Sequence, residues 1–287
     1  MNVTRRGFLA GTAAAAATPA VVPPGLRPAR STPSFGPGPV EFELRINGEA
    51  RKGKAEPRAT LLEVLRWQLG ISGPKEVCDR AACGACTVLL DDRPVCACMT
   101  LALDAVGHEI TTIEGLGTPE EPGRVQTAFL KHDAVQCGYC IPGMVTAMEG
   151  VLRRNPRATQ EELRTGIAGN LCRCGTYTKV FEAAARLTGK NPPAGLPERN
   201  APACIESEHG RVDAAVKIAG TAVYGADVAR PGMLFARHVL CPYGKAKLVS
   251  ADLETVRKLP GVVDVEIGTG KIYPYSGAPV GHVCAES

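Results

Sequence analysis

Cysteine carries the chemistry of this sequence. Twelve of its 287 residues are cysteines, and eight of them fall into two sets. The first set is Cys78, Cys83, Cys86 and Cys98, spaced C-x4-C-x2-C-x11-C. The second joins Cys137-Gly-Tyr-Cys140 to Cys172-Arg-Cys174. A [2Fe–2S] cluster needs four soft thiolates around a compact iron–sulfide core. Three closely spaced cysteines in one loop wrap such a core, and the fourth returns from elsewhere. Gly84 lies among them, and a residue without Cβ lets the backbone approach the sulfurs and aim its amides at them. Cys96 sits two residues before Cys98 on what reads as one strand face, so spacing alone leaves the fourth ligand open; we favour Cys98.

In the second set, Cys137–Cys140 sits just before a helix expected to begin near Pro142, whose N-terminal amides favour an anionic cluster. Arg173, between two thiols, offsets negative charge. Structural zinc is the competing reading, because C-x2-C pairs are a generic zinc signal. Disulfides compete less well, since cysteines closed around a metal before export are protected. Cys204, Cys241 and Cys284 fit neither pattern and read as buried thiols.

The elements that position these residues emerge from periodicity. Residues 41–46 alternate as a half-buried strand, and Asn47-Gly48 is a hairpin turn. Thr60 caps a helix on which Leu61, Leu62, Leu65 and Leu69 recur, with Gly70 ending it. After the cysteine loop come a strand at 87–90, a turn at Asp91-Asp92, a returning strand through Cys98 and a further strand at 108–113. Val125, Phe129 and His132 mark a first helix of the next segment; Met144, Val145, Met148, Val151 and Leu152 mark a second. Thr159 with Glu162 has capping-box spacing and opens a third. Val180, Phe181, Ala184 and Leu187 mark a fourth, closed by Gly189. Farther on, strands are expected at 233–240, 262–267 and 280–285, a short helix near 253–259, and a loop at 270–277.

The chain opens with Arg5-Arg6 ahead of a modest apolar run from Phe8 to about Ala20, too short and alanine-rich for a stable membrane span. This has the form of a twin-arginine export signal, a route that moves folded, cofactor-loaded proteins, and it predicts a periplasmic location. The net charge of +4 is accounted for by Arg5, Arg6, Arg27 and Arg30, because residues 1–40 hold no acid. The remaining body is formally neutral and poor in aromatic residues, which argues against nucleic-acid binding. No nucleophile–base pair and no dinucleotide fingerprint is present, and Gly268-Thr-Gly-Lys271 is too short to be a phosphate loop. The division expected is signal and spacer 1–40, a cluster domain 41–117, a helical cluster domain 118–190, a linker 191–205, and an α/β segment 206–287.

Several stretches carry a resemblance. Cys78-Asp-Arg-Ala-Ala-Cys83-Gly-Ala-Cys86-Thr-Val with Cys98 resembles the first motif of the small iron–sulfur subunit of molybdenum hydroxylases, the xanthine dehydrogenase and aldehyde oxidoreductase family. Gln136-Cys-Gly-Tyr-Cys-Ile-Pro-Gly-Met and Gly169-Asn-Leu-Cys-Arg-Cys-Gly resemble its second motif. The resemblance implies an α+β chain: a β-grasp ferredoxin-like domain, then a four-helix domain. It implies that Cys137, Cys140, Cys172 and Cys174 hold the cluster nearer a molybdenum–pterin cofactor on a large partner subunit, that Cys78, Cys83, Cys86 and Cys98 hold the outer one, and that Gln136 contacts the pterin. The family usually has glycine where this chain has Val77, and often where it has Ala81, so the outer loop is expected to take a slightly different path. Gly210-Arg-Val-Asp-Ala, Gly220-Thr-Ala-Val-Tyr-Gly-Ala-Asp and Arg230-Pro-Gly-Met-Leu, with Leu259-Pro-Gly-Val-Val and Tyr275-Ser-Gly-Ala-Pro-Val, resemble the start of the large subunit. That implies a small subunit fused to a short hammerhead-like segment.

The expected function is electron relay. Electrons from an aldehyde or N-heterocycle oxidised on the partner pass through two [2Fe–2S] clusters to a flavin (FAD) subunit or a cytochrome c, and the redox chemistry belongs to the cofactors. Two rival readings remain at this level: a zinc-stabilised interaction module, and a stand-alone ferredoxin-like carrier.

Overall fold

A computed structural model describes residues 35–189 and 211–286. The export signal, most of the spacer, the expected linker and Cys204 lie outside the described residues. The architecture is α+β, and the chain divides into two compact units, the second starting at Ala222.

The first unit opens with a five-stranded sheet. Its strands are β1 (Val40–Ile46), β2 (Glu49–Ala55), β3 (Thr87–Leu90), β4 (Arg93–Cys96) and β5 (Glu109–Thr111). Their order is β2-β1-β5-β3-β4, with β1 and β5 parallel. Asn47 (φ 52°) and Gly48 (φ 82°) make the β1–β2 turn in the left-handed region that a two-residue hairpin demands. Asn47 does a second job: its side chain accepts from Thr112 N–H and donates to Thr112 Oγ1, both at 2.9 Å. That fastens the hairpin to the end of β5.

Alternation buries Leu44 and Ile46 on one sheet face, where they meet Leu61, Leu62, Leu65, Val88 and Ile110. Leu61 and Leu62 come from α1 (Leu61–Glu63), capped by a full Thr60/Glu63 capping box. The expected α-helix is one turn only. It continues as a π-helical turn over Val64–Gln68, with Leu69 N–H reaching back to Val64 O. The wider turn puts Val64, Leu65 and Arg66 all inside.

The returning strand also differs from expectation. β4 stops at Cys96, and Ala97–Met99 is a 3₁₀ turn. Cys96 and Cys98 therefore do not share a strand face.

Four helices come next: α2 (Arg124–Lys131), α3 (Ile141–Arg154), α4 (Gln160–Gly166) and α5 (Tyr177–Leu187). Phe129, Met144, Met148, Leu163 and Val180, all fully buried, form their common core. The Thr159/Glu162 capping box forms as read from the sequence. A fifth short helix, α6 (Ala214–Ile218), packs its Ala214 and Ile218 into the same core. This moves the expected domain start at 206, because residues up to Thr221 belong to the first unit. Two apolar side chains at helical spacing had a ready hollow to fill there.

The second unit holds a three-stranded sheet of β6 (Phe235–Leu240), β8 (Val262–Ile267) and β10 (Pro279–Ala285), ordered β6-β10-β8, with α7 (Leu253–Arg257) beside β8. The stretch 270–277 is not all loop: Ile272–Tyr273 forms β9 and pairs with β7 (Ala246–Lys247). Tyr273 supplies the reason, since its ring is buried with Cys241 and Ala278. Among the described residues no helix is long and apolar enough to cross a membrane.

His132 ends α2, with Nδ1 3.7 Å from Glu182 of α5. Burial pushes its pKa below the usual 6.5; the Glu182 carboxylate opposes that, while Lys179 and Arg186 reinforce it. A depressed histidine pKa means that the unfolded chain binds the proton more readily. Its stabilisation is therefore present above about pH 6.5 and fades as pH falls through the folded value. Melting curves between pH 7.5 and about 5 should show the helical body losing stability over that window, and His132→Gln should flatten the slope.

Candidate metal centres

The loop between the π-helical turn and β3 brings the first cysteine set together. Asp79 (φ 47°), Ala81 (φ 53°) and Gly84 (φ 69°) all take left-handed backbone, which coils the loop tightly enough to face its own sulfurs. The amide of Ala82 donates to Cys78 Sγ at 3.4 Å, and that of Ala81 to Cys98 Sγ at 3.3 Å. Ala81 thus keeps the conformation a glycine would take, at the strain cost of a side chain in that region.

Cys78 and Cys83 interact side chain to side chain, as do Cys86 and Cys98. Cys96 also reaches Cys86, so the structure places five thiols in this neighbourhood. Of the two rivals for the fourth position, Cys98 is buried and receives the loop amide, while Cys96 is half-buried at the strand end.

The second set forms where two loops meet. Cys140 is the N-cap residue of α3, and Gly138 (φ 86°) turns the loop so that Cys137 lies beside it. The helix starts where Pro142 predicted. Cys172 is held by α5 instead: its Sγ lies 3.2 Å from Thr176 Oγ1, and its amide donates to Tyr177 Oη at 2.7 Å. Cys137 meets Cys174, and Cys140 meets Cys172. Cys137 and Cys174 are exposed, as are Gln136 and Arg173. The Gln136 carbonyl accepts from Lys217 Nζ at 3.1 Å, which ties α6 to the residue before the first thiol.

Thiol electrostatics test whether these sets suit a metal. Burial acts to raise Cys78, but the amides of Arg80 and Ala82 and the Cys83 group outweigh it and bring the thiol down to about 7. Burial pushes Cys98 up to about 11, with Cys86 adding to the rise. Burial also raises Cys140, as does its crowding against Cys172 and Cys137. Thiols that hinder one another's ionisation, with backbone amides already aimed at the sulfurs, are a donor set that a multivalent cation completes. Both sets fit an iron–sulfide core.

The two sets are joined directly. Leu171 N–H donates to Cys83 O at 2.9 Å, linking the residue beside Cys172 to a thiol residue of the other set. Asn170 is 5% exposed, and its Nδ2 donates to Gly84 O at 2.8 Å. Gly84, expected to serve the sulfurs, is placed at this junction. A Cβ on Gly84 would lie 2.6 Å from Asn170 Nδ2 and 2.7 Å from Gly169 O, and one on Gly143 would lie 2.3 Å from Gly84 O. Asn170, Leu171, Tyr177 and Lys217 escaped sequence reading. Only the short spacing of Asn170 from Cys172 pointed to any of them.

The three unassigned cysteines differ. Cys204 lies outside the described residues, Cys241 is buried as expected, and Cys284 is half-buried. Cys284 Sγ lies within 4.8 Å of polar side-chain atoms of Asp264 and His282 in the same sheet.

A folded chain with two paired-thiol sets this close defines an iron–sulfur electron carrier. Residues 112–185 match the [2Fe-2S] binding domain family. The chain is 40% identical, over 207 residues, to the aldehyde oxidoreductase iron-sulfur-binding subunit PaoA of Escherichia coli (strain K12), covering 66% of this chain and 90% of that one. It is 42% identical over 144 residues to the nicotinate dehydrogenase small FeS subunit of Eubacterium barkeri, covering 50% of this chain and 92% of that one. Its fold is similar to the solved aldehyde oxidoreductase from Desulfovibrio gigas, with a TM-score of 0.74 and 31% identity, covering 86% of this chain and 32% of that one. The chain belongs to the iron–sulfur subunits of the molybdenum hydroxylase family. Its role is electron transfer, and the catalytic site of such an enzyme is on another subunit.

The junction yields a direct test. Gly84→Ala must open the contact with Asn170 and also strain a left-handed backbone, a combined loss of about 2 kcal/mol. Chemical denaturation of the purified chain should show a lower midpoint, with the iron content falling in parallel.

Proposed function

We propose that this chain carries electrons away from a molybdenum–pterin centre on a large partner subunit through two [2Fe–2S] centres. Cys137, Cys140, Cys172 and Cys174 hold the inner one; Cys78, Cys83, Cys86 and Cys98 hold the outer one. The single observation that carries this reading is the pair of four-thiol sets joined by the Leu171–Cys83 hydrogen bond. When bound, each centre takes up and returns one electron at a time. The protein residues do the rest. Amides of Ala81 and Ala82 hold sulfur orientation, Thr176 pairs with Cys172, and the Asn170 junction fixes one set against the other.

The exposed position of Gln136, beside exposed Cys137 and Cys174, supports its assignment as the pterin contact and the inner placement of that set. Aldehydes and N-heterocycles are the substrate classes this reading carries over from the names of the relatives, and a flavin subunit or a cytochrome c is the acceptor. In finer terms the sheet with its capped helix is a β-grasp domain, the helices are a four-helix cluster domain, and the second unit is the opening hammerhead-like segment of the large subunit. Such a fusion raises the effective concentration of relay and catalytic body for each other. Arg5-Arg6 marks the chain for the twin-arginine route to the periplasm.

Metal and sulfide analysis is the primary test. Purified protein should hold about four iron atoms per chain with matching acid-labile sulfide and show two paramagnetic signals on reduction; colourless, zinc-loaded protein would support the structural module instead. Cys98→Ser should remove one signal, whereas Cys96→Ser should keep both. Cys137→Ser should remove the other signal and cut electron flow from substrate most severely. Replacing Arg5-Arg6 with a lysine pair should leave the protein in the cytoplasmic fraction.

A further inference from the structure

Cys284 belongs to neither thiol set, and it stands on the polar face of its sheet. It lies on β10, the central strand of the second unit, paired with β6 on one side and β8 on the other. Side chains two apart on a strand share a face, so Cys284 and His282 point the same way. Asp264 of β8 is the cross-strand partner of Cys284, and Val265 pairs with Val283. The valines take one face, where Val265 is buried, and Asp264, His282 and Cys284 take the other. One potential ligand atom from each of these three lies within 4.8 Å of those of the other two. His282 Nε2 and Asp264 Oδ2 are 3.4 Å apart. The register of β10 against β8 shifts directly after Cys284, and a bulge of that kind re-aims the side chains beside it. His238 of β6 stands opposite His282 on the same face, yet it does not join the group within that distance.

An ordinary surface ion pair explains part of this arrangement. His282 and Asp264 are 34% and 62% exposed at the side chain, and a pair so placed adds little stability. It does not require a half-buried thiol beside it on the polar side of the strand. Thiol sulfur, imidazole nitrogen and carboxylate oxygen are together the donors that zinc takes, whereas calcium and magnesium favour oxygen alone. In a tetrahedral zinc site, with ligand atoms about 2.0–2.3 Å from the metal, those atoms lie roughly 3.3–3.6 Å from one another. The His282–Asp264 separation already matches, which leaves only the Cys284 sulfur to draw in. All three ligands ride on paired strands, which hold a site more firmly than loops do. The unit also has a use for a staple. Among its described residues the buried apolar ones are Cys241, Val265, Tyr273 and Ala278, a small core for residues 222–287. A bound metal is one way in which a small unit gains stability.

We propose that Asp264, His282 and Cys284 form a zinc site that pins β8 to β10, with a fourth position open to solvent. Zinc binds the thiolate, so loading releases the Cys284 proton to water, and the metal stays Zn²⁺ throughout. The site shares no residue with either four-thiol set and does not depend on what those sets hold.

The test uses the full chain, with its iron counted first. After loosely held metal is removed, titration with zinc against a chromogenic chelator should show about one zinc bound per chain beyond the iron. Cys284→Ser, His282→Gln and Asp264→Ala should each weaken zinc binding by at least about tenfold with iron unchanged. His238→Gln should bind as wild type does. A second readout needs no variant: in iodoacetamide labelling mapped peptide by peptide, added zinc should slow the labelling of Cys284, and chelator should restore it. Zinc retained undiminished in Cys284→Ser belongs to another thiol set and overturns the proposal. So does an equal loss of zinc in His238→Gln, or labelling of Cys284 at one rate with and without zinc. Where a variant fails to fold, the labelling of wild type decides alone.

Discussion

One backbone hydrogen bond, Leu171 N–H to Cys83 O at 2.9 Å, sets the terms for the rest of the chain. An electron carrier with two centres must keep them at a fixed separation, and a flexible joint between two small domains would not do so. Here the joint is made from the thiol-bearing loops themselves. It works only because Gly84 and Gly143 present no Cβ where the loop meets the start of α3. Asn170 then adds a donor from the other domain to the Gly84 carbonyl, which also accepts from Thr87 N–H at 3.2 Å and Thr87 Oγ1 at 2.6 Å. The sheet domain and the helical domain thus meet where the chemistry lies, and again where Arg153 of α3 pairs with Asp92 at 2.7 Å.

Around that joint, polar groups are arranged to receive negative charge. Amides of Ala81 and Ala82 and the Thr176 hydroxyl face sulfur, and Cys140 sits at the N-terminal end of α3. These groups are held by others: left-handed residues in the first loop, and Tyr177 bridging the Cys172 amide to the Asn170 carbonyl. Preorganisation of this kind lowers the rearrangement that must accompany each change in charge. It suits a site that gains and loses electrons better than one that only needs cross-linking, which is the physical argument against a purely structural metal.

Much of this was legible in the sequence, for identifiable reasons. Thiol spacing, capping residues such as Thr60 and Thr159, and the apolar rows of α2, α3 and α5 are local signals, and each produced its element. The failures share a cause. Cys98 reads as a continuation of its strand because alternation says nothing about where a 3₁₀ turn begins. Gly84 reads only as a sulfur-facing residue because its neighbour Asn170 is 86 positions away. Helix α6 lies beyond residues that read as linker, so its two apolar side chains were grouped with the strands of the second unit.

The placement of α6 bears on where the chain leaves the relay. Residues 211–221 belong with the helical domain, and Lys217 grips the carbonyl of Gln136, immediately before Cys137. Asp213 steadies that lysine at 2.7 Å. The chain is therefore anchored beside the second thiol set before it departs, close to the exposed residues Gln136, Cys137 and Cys174 rather than at the end of α5. An electron handed in at that surface would enter through the set beside this anchor, and leave through the one joined to it by Leu171 and Cys83. Direction in such a relay needs no moving part, since it depends on which thiol set faces the donor and on the potential difference between the two sets.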